Sequence, residues 1–213
     1  VFLQRFIASG GVRVERHELY GSEVLPKVGL VANAAGSTTI RVSAAKGFRS
    51  PSIRELYVFP PRNAELQPER LWNYEIGLTQ ALGSAAQVDA VFFQSQGSNM
   101  IRMDYSSLPP TYFNSGEFTH NGYELTTQWQ PLTKLNLSAS WTDMDLGDET
   151  QGVPEQKLTL YAAYDFGMID LTATLMHAAE LYGSDERANK LPDYTLVNLA
   201  LSVIPWKTLG FKF

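Results

Sequence analysis

The stretch Trp72-Asn73-Tyr74-Glu75-Ile76-Gly77-Leu78-Thr79 decides the fold, because its side chains alternate strictly between two kinds. The residues at even positions are apolar, and those at odd positions are polar or glycine. Successive side chains of a β-strand point to opposite faces of its sheet, so the alternation predicts a strand with one apolar face and one wet face.

The same alternation recurs along most of the chain. Apolar residues dominate every second position at 123–129, 135–141, 158–166, 169–175 and 197–203. No segment has a convincing helical period, so the sequence predicts an all-β protein. The predicted strands cover residues 2–8, 11–19, 24–34, 38–46, 67–82, 86–96, 117–130, 133–144, 156–166, 168–178 and 192–204, and a last one begins at 208–213.

The connections between these strands alternate in length. Short turns are predicted at Ser9-Gly10, 35–37, 83–84, 131–132, Gly167 and 205–207. Longer polar loops are predicted at 20–23, 47–66, 97–116, 145–155 and 179–191. Strands that run alternately up and down send every second connection to the same rim, whereas the Greek-key crossovers of a soluble sandwich would break that regularity. The chain is therefore predicted to form an antiparallel up-and-down transmembrane β-barrel.

The two faces of the predicted strands differ in charge. Leu, Val, Ile, Ala and aromatic side chains occupy the face that we assign to outer-membrane lipid. Unpaired charges in a dry core cost several kcal/mol each, so the opposite face needs a water-filled or plugged interior. The charged residues on that face are Arg13, Glu15, Arg41, Glu75, Asp89, Glu124, Lys134, Lys157, Asp165 and Asp170.

Composition excludes several other classes of protein. The chain has 213 residues, a formal net charge of −5 and no cysteine. A nucleic-acid partner is not expected, because binding one requires a basic surface. The lack of cysteine excludes a disulfide scaffold and any cysteine-ligated metal site. No run of about 18 apolar residues is present, so the sequence contains no transmembrane helix.

Three motifs surround the longest predicted loops. They are Lys46-Gly47-Phe48-Arg49-Ser50-Pro51-Ser52-Ile53-Arg54-Glu55-Leu56-Tyr57, then Asn63-Ala64-Glu65-Leu66-Gln67-Pro68-Glu69-Arg70-Leu71-Trp72-Asn73-Tyr74-Glu75-Ile76-Gly77, and then Tyr112-Phe113-Asn114-Ser115-Gly116 with His120-Asn121-Gly122-Tyr123-Glu124. In order and spacing they resemble the C-terminal barrel region of TonB-dependent outer-membrane receptors, the family of siderophore and cobalamin receptors. Ala64 stands where that family usually has proline.

The resemblance implies both an architecture and a function. Residues 1–213 would form about 11–12 strands of a larger, 22-stranded type of barrel, with the plug domain and the N-terminal barrel strands outside this chain. The parent protein would be a receptor of the bacterial cell outer membrane and not an enzyme. It would import a ferric siderophore or similar scarce nutrient, with the TonB complex and the plug domain as partners.

Other functions remain open at this stage. A cobalamin or haem receptor of the same family is one alternative, although haem is disfavoured because no histidine lies between Ser52 and Arg62. A self-contained passive pore or an outer-membrane hydrolase of about twelve strands is another. The hydrolase would pair His177 with Ser138 or Ser140, but no Gly-x-Ser-x-Gly elbow is present, so no catalytic residue is assigned.

Cations and aromatic rings gather in two of the long loops. Such residues at a barrel mouth suit an anionic, aromatic ligand such as a metal chelate. The predicted ligand-binding residues are Arg49, Arg54, Tyr57 and Arg62 in one loop and Tyr105 and Tyr112 in the next.

No resident metal or cofactor is predicted. His17, His120 and His177 lie on separate strands without the spacing of metal ligands. The acidic loop 143–149 carries oxygen ligands of the kind that calcium prefers, but it lacks the EF-hand pattern. Calcium binding there remains a secondary alternative.

Overall fold

The computed structural model describes residues 6–58, 61–148, 150–206 and 209–212. Eleven strands form one sheet, and four shorter ones form two separate hairpins. The sheet order follows the chain without a crossover, which confirms the predicted all-β, up-and-down fold and its count of about 11–12 strands. Short connections produce this order, since consecutive strands joined by tight turns pair with each other, and the alternation decides which side chains face each side of the sheet.

The strands have the following bounds. The sheet contains, in order, β1 (Phe6–His17), β2 (Gly21–Ala35), β3 (Thr38–Arg49), β4 (Glu69–Leu82), β5 (Ala86–Ser98), β8 (Glu117–Leu132), β9 (Leu135–Asp145), β10 (Gln156–Asp165), β11 (Ile169–Ala179), β14 (Tyr194–Trp206) and β15 (Leu209–Lys212). The hairpins are β6 (Ile101–Asp104) with β7 (Thr111–Asn114), and β12 (Leu181–Tyr182) with β13 (Lys190–Leu191). A π-helical turn, Arg54–Val58, follows β3. Within the described residues, no helix has the length and apolar character needed to cross a bilayer.

The chain divides into two compact units. The first comprises the part up to Val31, Arg41–Ile76 and Phe93–Asn121, and the second comprises Ala32–Ile40, Gly77–Phe92 and the part from Gly122 onward. Loops 50–68 and 99–116 belong to the first unit. Loops 146–155 and 180–193 belong to the second.

Cross-strand register aligns the apolar side chains of the second unit on one face. Leu160 of β10 lies opposite Ala139 of β9 and Leu175 of β11. Leu175 in turn lies opposite Val197 of β14. Leu160 and Leu171 are 41% and 40% exposed although their strands are paired along both edges. This apolar face therefore has no protein cover, as the assignment to lipid requires.

The other face of the same strands is polar. Thr159 lies opposite Ser140 on β9, and Tyr161 lies opposite Ser138. Hydroxyl groups interact across this face, for example Thr126 Oγ1 and Ser140 Oγ at 3.0 Å. The alternation read from the sequence thus corresponds to two chemically distinct faces in the structure.

Buried apolar side chains lie at the loop ends of the strands and in the long loops. Within the described residues they are Leu56, Leu66, Phe118, Leu146, Ala178 and Tyr182. Each lies within a long loop or within two residues of one. The dry part of each unit therefore lies beside the loops, and the middle of the sheet contains none of these residues.

The predicted turn at Ser9-Gly10 is wrong, because β1 runs unbroken from Phe6 to His17. Neither Gly10 nor Gly11 has the positive φ of a glycine turn. Ser9 stays beside β2, where its hydroxyl donates to the carbonyl of Gly29 at 3.4 Å. A glycine pair permits a turn but does not require one, and two positions without side chains also hide the alternation.

Two further boundaries differ from the prediction. The loop expected at 20–23 is a tight turn at residues 18–20, and β2 begins at Gly21, whose φ of 77° only glycine adopts without strain. The turn expected at 131–132 lies two residues later, because β8 extends through Leu132. Predicted strand residues 2–5, 208 and 213, and the turn residue Lys207, lie outside the described residues.

Candidate ligand-binding site

All six predicted ligand-binding residues belong to the first unit. Arg49 ends β3, and Arg54, Tyr57 and Arg62 follow it in loop 50–68. Tyr105 and Tyr112 lie in and beside the β6–β7 hairpin of loop 99–116. The strands that flank these loops, β3, β4, β5 and β8, are consecutive in the sheet, so the two loops are neighbours.

Arg49 is held by two carboxylates. Its Nε and Nη2 donate to Glu69 Oε2 and Oε1 at 2.6 and 2.7 Å, and its Nη1 donates to Glu55 Oε1 at 3.2 Å. The parallel pair of bonds to Glu69 is the strongest arrangement available to an arginine and a carboxylate. Arg49 therefore links the end of β3 to the π-helical turn and to the start of β4.

The π-helical turn begins with a reciprocal cap. Ser52 N donates to Glu55 Oε2 at 2.6 Å, and Glu55 N donates to Ser52 Oγ at 3.3 Å. Burial acts to raise the pKa of Glu55, but the hydrogen bonds from Ser52 and the charge of Arg49 together lower it. Leu56 is buried beneath the turn, which leaves Arg54 and Tyr57 exposed.

Arg54 and Arg62 differ from Arg49 in their pairing. Both side chains are exposed, and neither forms an ion pair with another described residue. Their charges are therefore available to an anionic ligand, whereas the charge of Arg49 is already balanced. A direct binding role for each of these arginines remains a prediction.

Tyr57 lies close to the turn between β1 and β2. Burial and the nearby Tyr57 raise the pKa of Tyr20 in that turn. The Tyr20 hydroxyl is buried and has no hydrogen-bond partner among the described residues, and its ring stacks on His17 with centroids 4.8 Å apart. The stacked pair of His17 and Tyr20 thus lies within electrostatic reach of Tyr57.

The β6–β7 hairpin presents the remaining two tyrosines differently. Tyr105 follows β6 and is 64% exposed. Next to it, Asp104 Oδ1 accepts hydrogen bonds from Ser106 N and Oγ at 2.8 and 2.6 Å, and these bonds lower the pKa of Asp104. Tyr112 of β7 is half-buried opposite Met103. The hairpin thus carries Tyr105 at its exposed tip and Tyr112 on its stem.

Two asparagines join loop 50–68 to loop 99–116. Asn63 Nδ2 donates to the carbonyl of Tyr112 at 3.0 Å. Asn114 Oδ1 accepts from Gln67 N at 2.8 Å, while its Nδ2 donates to the carbonyls of Gln67 and Asn99 at 2.9 and 2.8 Å. Both asparagines belong to the motifs quoted above, but their contacts between the two loops could not be predicted from those motifs.

Loops 146–155 and 180–193 are joined separately in the second unit. Arg187 Nη2 donates to Asp145 Oδ1 and Glu155 Oε1, each at 2.9 Å, and these bonds raise the pKa of Arg187. Thr150, which is fully buried, donates from Oγ1 to the carbonyl of Ser184 at 3.2 Å. Sequence reasoning missed this joint, because Arg187 belongs to no motif.

A carboxylate of the acidic loop 143–149 is already used in these contacts between loops 146–155 and 180–193. Asp145 Oδ1 accepts from Arg187 and also from Gly147 N at 3.1 Å, so its oxygen is already bound by donors. Within the described residues, which exclude Glu149, no group of three His, Asp or Glu side chains has the arrangement of a metal site. The geometry therefore gives no support to calcium binding here.

The serine–histidine pair of the hydrolase alternative is not assembled. His177 lies opposite Leu158, whereas Ser140 lies opposite Thr159, the next residue of β10. Adjacent residues of a strand point to opposite faces, so the two side chains are separated by the sheet. His177 Nδ1 instead lies 2.9 Å from Thr195 Oγ1.

Comparisons with known proteins extend over nearly the whole chain. Residues 1–211 match the family described as TonB dependent receptor-like, beta-barrel. The chain is 23% identical over 185 residues to the probable TonB-dependent siderophore receptor PiuA of Acinetobacter baumannii, which covers 76% of this chain and 24% of that protein. It is 25% identical over 214 residues to the vitamin B12 transporter BtuB of Photobacterium profundum, covering 95% of this chain and 35% of the relative.

Solved structures agree in fold. The ferric enterobactin receptor PfeA of Pseudomonas aeruginosa has a TM-score of 0.76 and 16% identity, over 96% of this chain and 36% of that one. The siderophore receptor PirA of Acinetobacter baumannii has a TM-score of 0.75 and 13% identity, over 96% and 38%. At these identities the likeness shows the fold alone, and the chain spans little more than a third of either protein.

Proposed function

Because the chain belongs to the TonB-dependent receptor-like β-barrel family, we propose that it is part of a receptor in the bacterial outer membrane that imports a ferric siderophore or a similar scarce nutrient. Members of this family are receptors and transporters rather than enzymes. The long loops capture the ligand, and the TonB complex drives displacement of a plug domain. The plug and the remaining strands belong to the rest of the parent protein.

The observation that carries this proposal is the family match combined with an uncovered apolar sheet face. Leu160 and Leu171 lie on β10 and β11, which are paired along both edges, and yet they are 41% and 40% exposed, where water would penalise them and lipid would not. The opposite face offers polar groups to an aqueous or plugged interior, for example Thr79, whose hydroxyl donates to Asp89 Oδ1 at 2.5 Å. Both features are those of a lipid-embedded barrel wall.

The loop residues support an anionic ligand with aromatic groups. Arg54 and Arg62 supply cations that no described residue neutralises, and Tyr57 and Tyr105 supply exposed rings. A ferric catecholate matches both properties, since it is anionic and aromatic. PiuA and PirA are described as siderophore receptors, and PfeA as a ferric enterobactin receptor, which supports an iron chelate as the ligand.

The test is uptake of radiolabelled iron by the full-length protein. It is expressed in a Gram-negative strain that lacks its own siderophore receptors, and ferric enterobactin is supplied with and without a functional tonB gene. Uptake that requires both the receptor and TonB supports the proposal. Uptake that persists without TonB, or a steady conductance in planar bilayers, contradicts it and identifies a passive pore.

Cobalamin is the second candidate, favoured by the 25% identity to BtuB over 95% of the chain. The same strain, made dependent on external vitamin B12 for growth, decides between the two ligands. Growth on nanomolar cobalamin without uptake of ferric enterobactin assigns the receptor to cobalamin. A matched haem arm, with haemin as the sole iron source, is expected to give no growth.

A further inference from the structure

The strongest unexplained feature of the first unit is the set of side chains that fasten loop 50–68 to loop 99–116. Asn63 and Asn114 each bridge the two loops, and Glu69, the first residue of β4, binds loop 99–116 at Ile101. In all three cases the partner across the junction is a backbone atom. None of the three was predicted to touch a ligand. Their contacts lie between the loop segments that carry the predicted ligand-binding residues.

Asn114 makes the most demanding of these contacts. Its side-chain amide accepts from Gln67 N and donates to the Gln67 carbonyl. It therefore binds both backbone polar groups of a residue that lies just before β4. Its second N–H group donates to the carbonyl of Asn99. Only a primary amide offers one acceptor and two donors at this reach, and the nature of the three partners fixes its orientation.

Glu69 reinforces the same junction from β4. Its Oε1 accepts from Ile101 N at 2.7 Å while the carboxylate also holds Arg49. One carboxylate therefore connects the end of β3, the start of β4 and the first residue of the β6–β7 hairpin. Next to Glu69, Leu66 and Pro68 are almost fully buried. Their packing holds the backbone of Gln67, to which Asn114 is hydrogen-bonded.

The consequence concerns the geometry of the ligand-binding loops. Asn114, near the end of loop 99–116, binds Gln67 in the C-terminal leg of loop 50–68, that is, residues 63–68. The same side chain binds the carbonyl of Asn99, so the start of loop 99–116 is held as well. The π-helical turn is connected to the start of β4, directly after that leg, because Arg49 binds both Glu55 and Glu69. The segments that carry Arg54 and Tyr105 are thus both held by contacts to the start of β4.

We propose that Asn114 is a positioning residue that makes loops 50–68 and 99–116 a single preformed ligand platform. This inference rests on the proposed function, because it concerns how that ligand site is assembled. The platform holds the cations of one loop at a fixed distance from the rings of the other. Ligand capture then avoids the entropic cost of ordering two independent loops.

The test measures the distance between the loops directly. Because the chain contains no cysteine, Ile53→Cys and Leu108→Cys introduce two spin-label sites at positions that are 74% and 98% exposed. The measurement uses the full-length receptor, with any cysteines elsewhere replaced. Asn114→Asp keeps the shape and the acceptor but loses both donors, and Asn136→Asp on the exposed surface of β9 is the matched control.

The expected result is one narrow label distance in the wild type and in Asn136→Asp, and about a twofold broader distribution in Asn114→Asp, since a local opening replaces a fixed contact. Affinity for ferric enterobactin falls about tenfold in the same variant, which corresponds to about 1.4 kcal/mol. Asn63→Ala, which loses the Tyr112 bridge, gives the same direction of change and decides the question if Asn114→Asp does not fold.

Unchanged distances in the folded variants overturn the platform. Broader distances with unchanged affinity also overturn it, because the amide would then fasten the loops without positioning ligand-binding groups. A wild-type receptor that does not bind ferric enterobactin speaks against the proposed ligand instead, while the label distances still decide whether the platform exists.

Discussion

Two arginines of the same sequence motif can have different roles when carboxylates reach only one of them. Arg49 is bound by Glu55 and Glu69, so its removal would leave two carboxylates without their cation. Arg54, five residues later, projects from the π-helical turn without an ion pair among the described residues. The motif that contains both is therefore partly a loop anchor and partly a candidate ligand contact.

Removing the two unpaired cations is expected to weaken ligand binding without harming assembly. Arg54→Ala with Arg62→Ala should lower the affinity for ferric enterobactin about tenfold or more, since a charge-assisted hydrogen bond contributes about 1.5–3 kcal/mol. Binding to whole cells and surface abundance by antibody are measured together. Unchanged affinity at normal abundance would remove both residues from the site.

The cap of the π-helical turn is expected to respond to acid. The pKa of Glu55 is below its ordinary value of 4.5 in the folded loop, so its stabilisation is complete above that value and is lost as the pH falls through the lowered pKa. A spin label at Ile53→Cys should become more mobile below about pH 4.5. Glu55→Gln should abolish this transition, and a transition that persists in that variant would assign it to another group.

At the level of single strands, the two faces predict opposite tolerance of charge. Leu160→Lys and Leu171→Lys place a cation on the uncovered apolar face and should each cost about 2–4 kcal/mol if the site lies in mid-bilayer. Thr159→Lys and Thr172→Lys, their neighbours on the polar face, should be tolerated. The fraction of each variant that folds into lipid vesicles is measured by heat-dependent gel mobility. Equal folding of the leucine and threonine variants would contradict the assignment of the two faces.

The joint between loops 146–155 and 180–193 is expected to depend on Arg187. Arg187→Ala leaves the buried carboxylate of Glu155 without its cation, so both loops should loosen. Faster protease cleavage within residues 180–193 of the full-length receptor is the readout. Glu186→Ala, an exposed neighbour with no side-chain hydrogen bond to a described residue, is the control and should leave the cleavage rate unchanged.

Strands were predictable from the sequence because alternation is local. Most of the predicted strands fall within a few residues of their observed bounds, and the exception at Ser9-Gly10 arose where glycines remove the side chains that carry the pattern. The loop structure was not predictable in this way. Asn114 and its partner Gln67 are 47 residues apart, and Arg187 is 42 residues from Asp145, so only the folded sheet brings them together.

In the molecule as a whole, buried apolar side chains are found by the loops and exposed ones on the strands. Its sheet keeps large apolar side chains exposed on the strands, and the buried ones within the described residues lie in and beside the long loops. Lipid in place of protein provides the apolar environment for the strands, whereas the loops need their own packing because they face water. The residues on the apolar sheet face are therefore a different set from the residues proposed to bind the ligand.

Burial inside the loops has a practical meaning for anyone who wishes to display a foreign peptide on this protein. Loops usually accept inserted epitopes, but here a tag next to Leu66 or Leu146 would split a packed joint. The hairpin tip at Leu108, which is 98% exposed, is the better site for an antibody epitope or a reporter sequence.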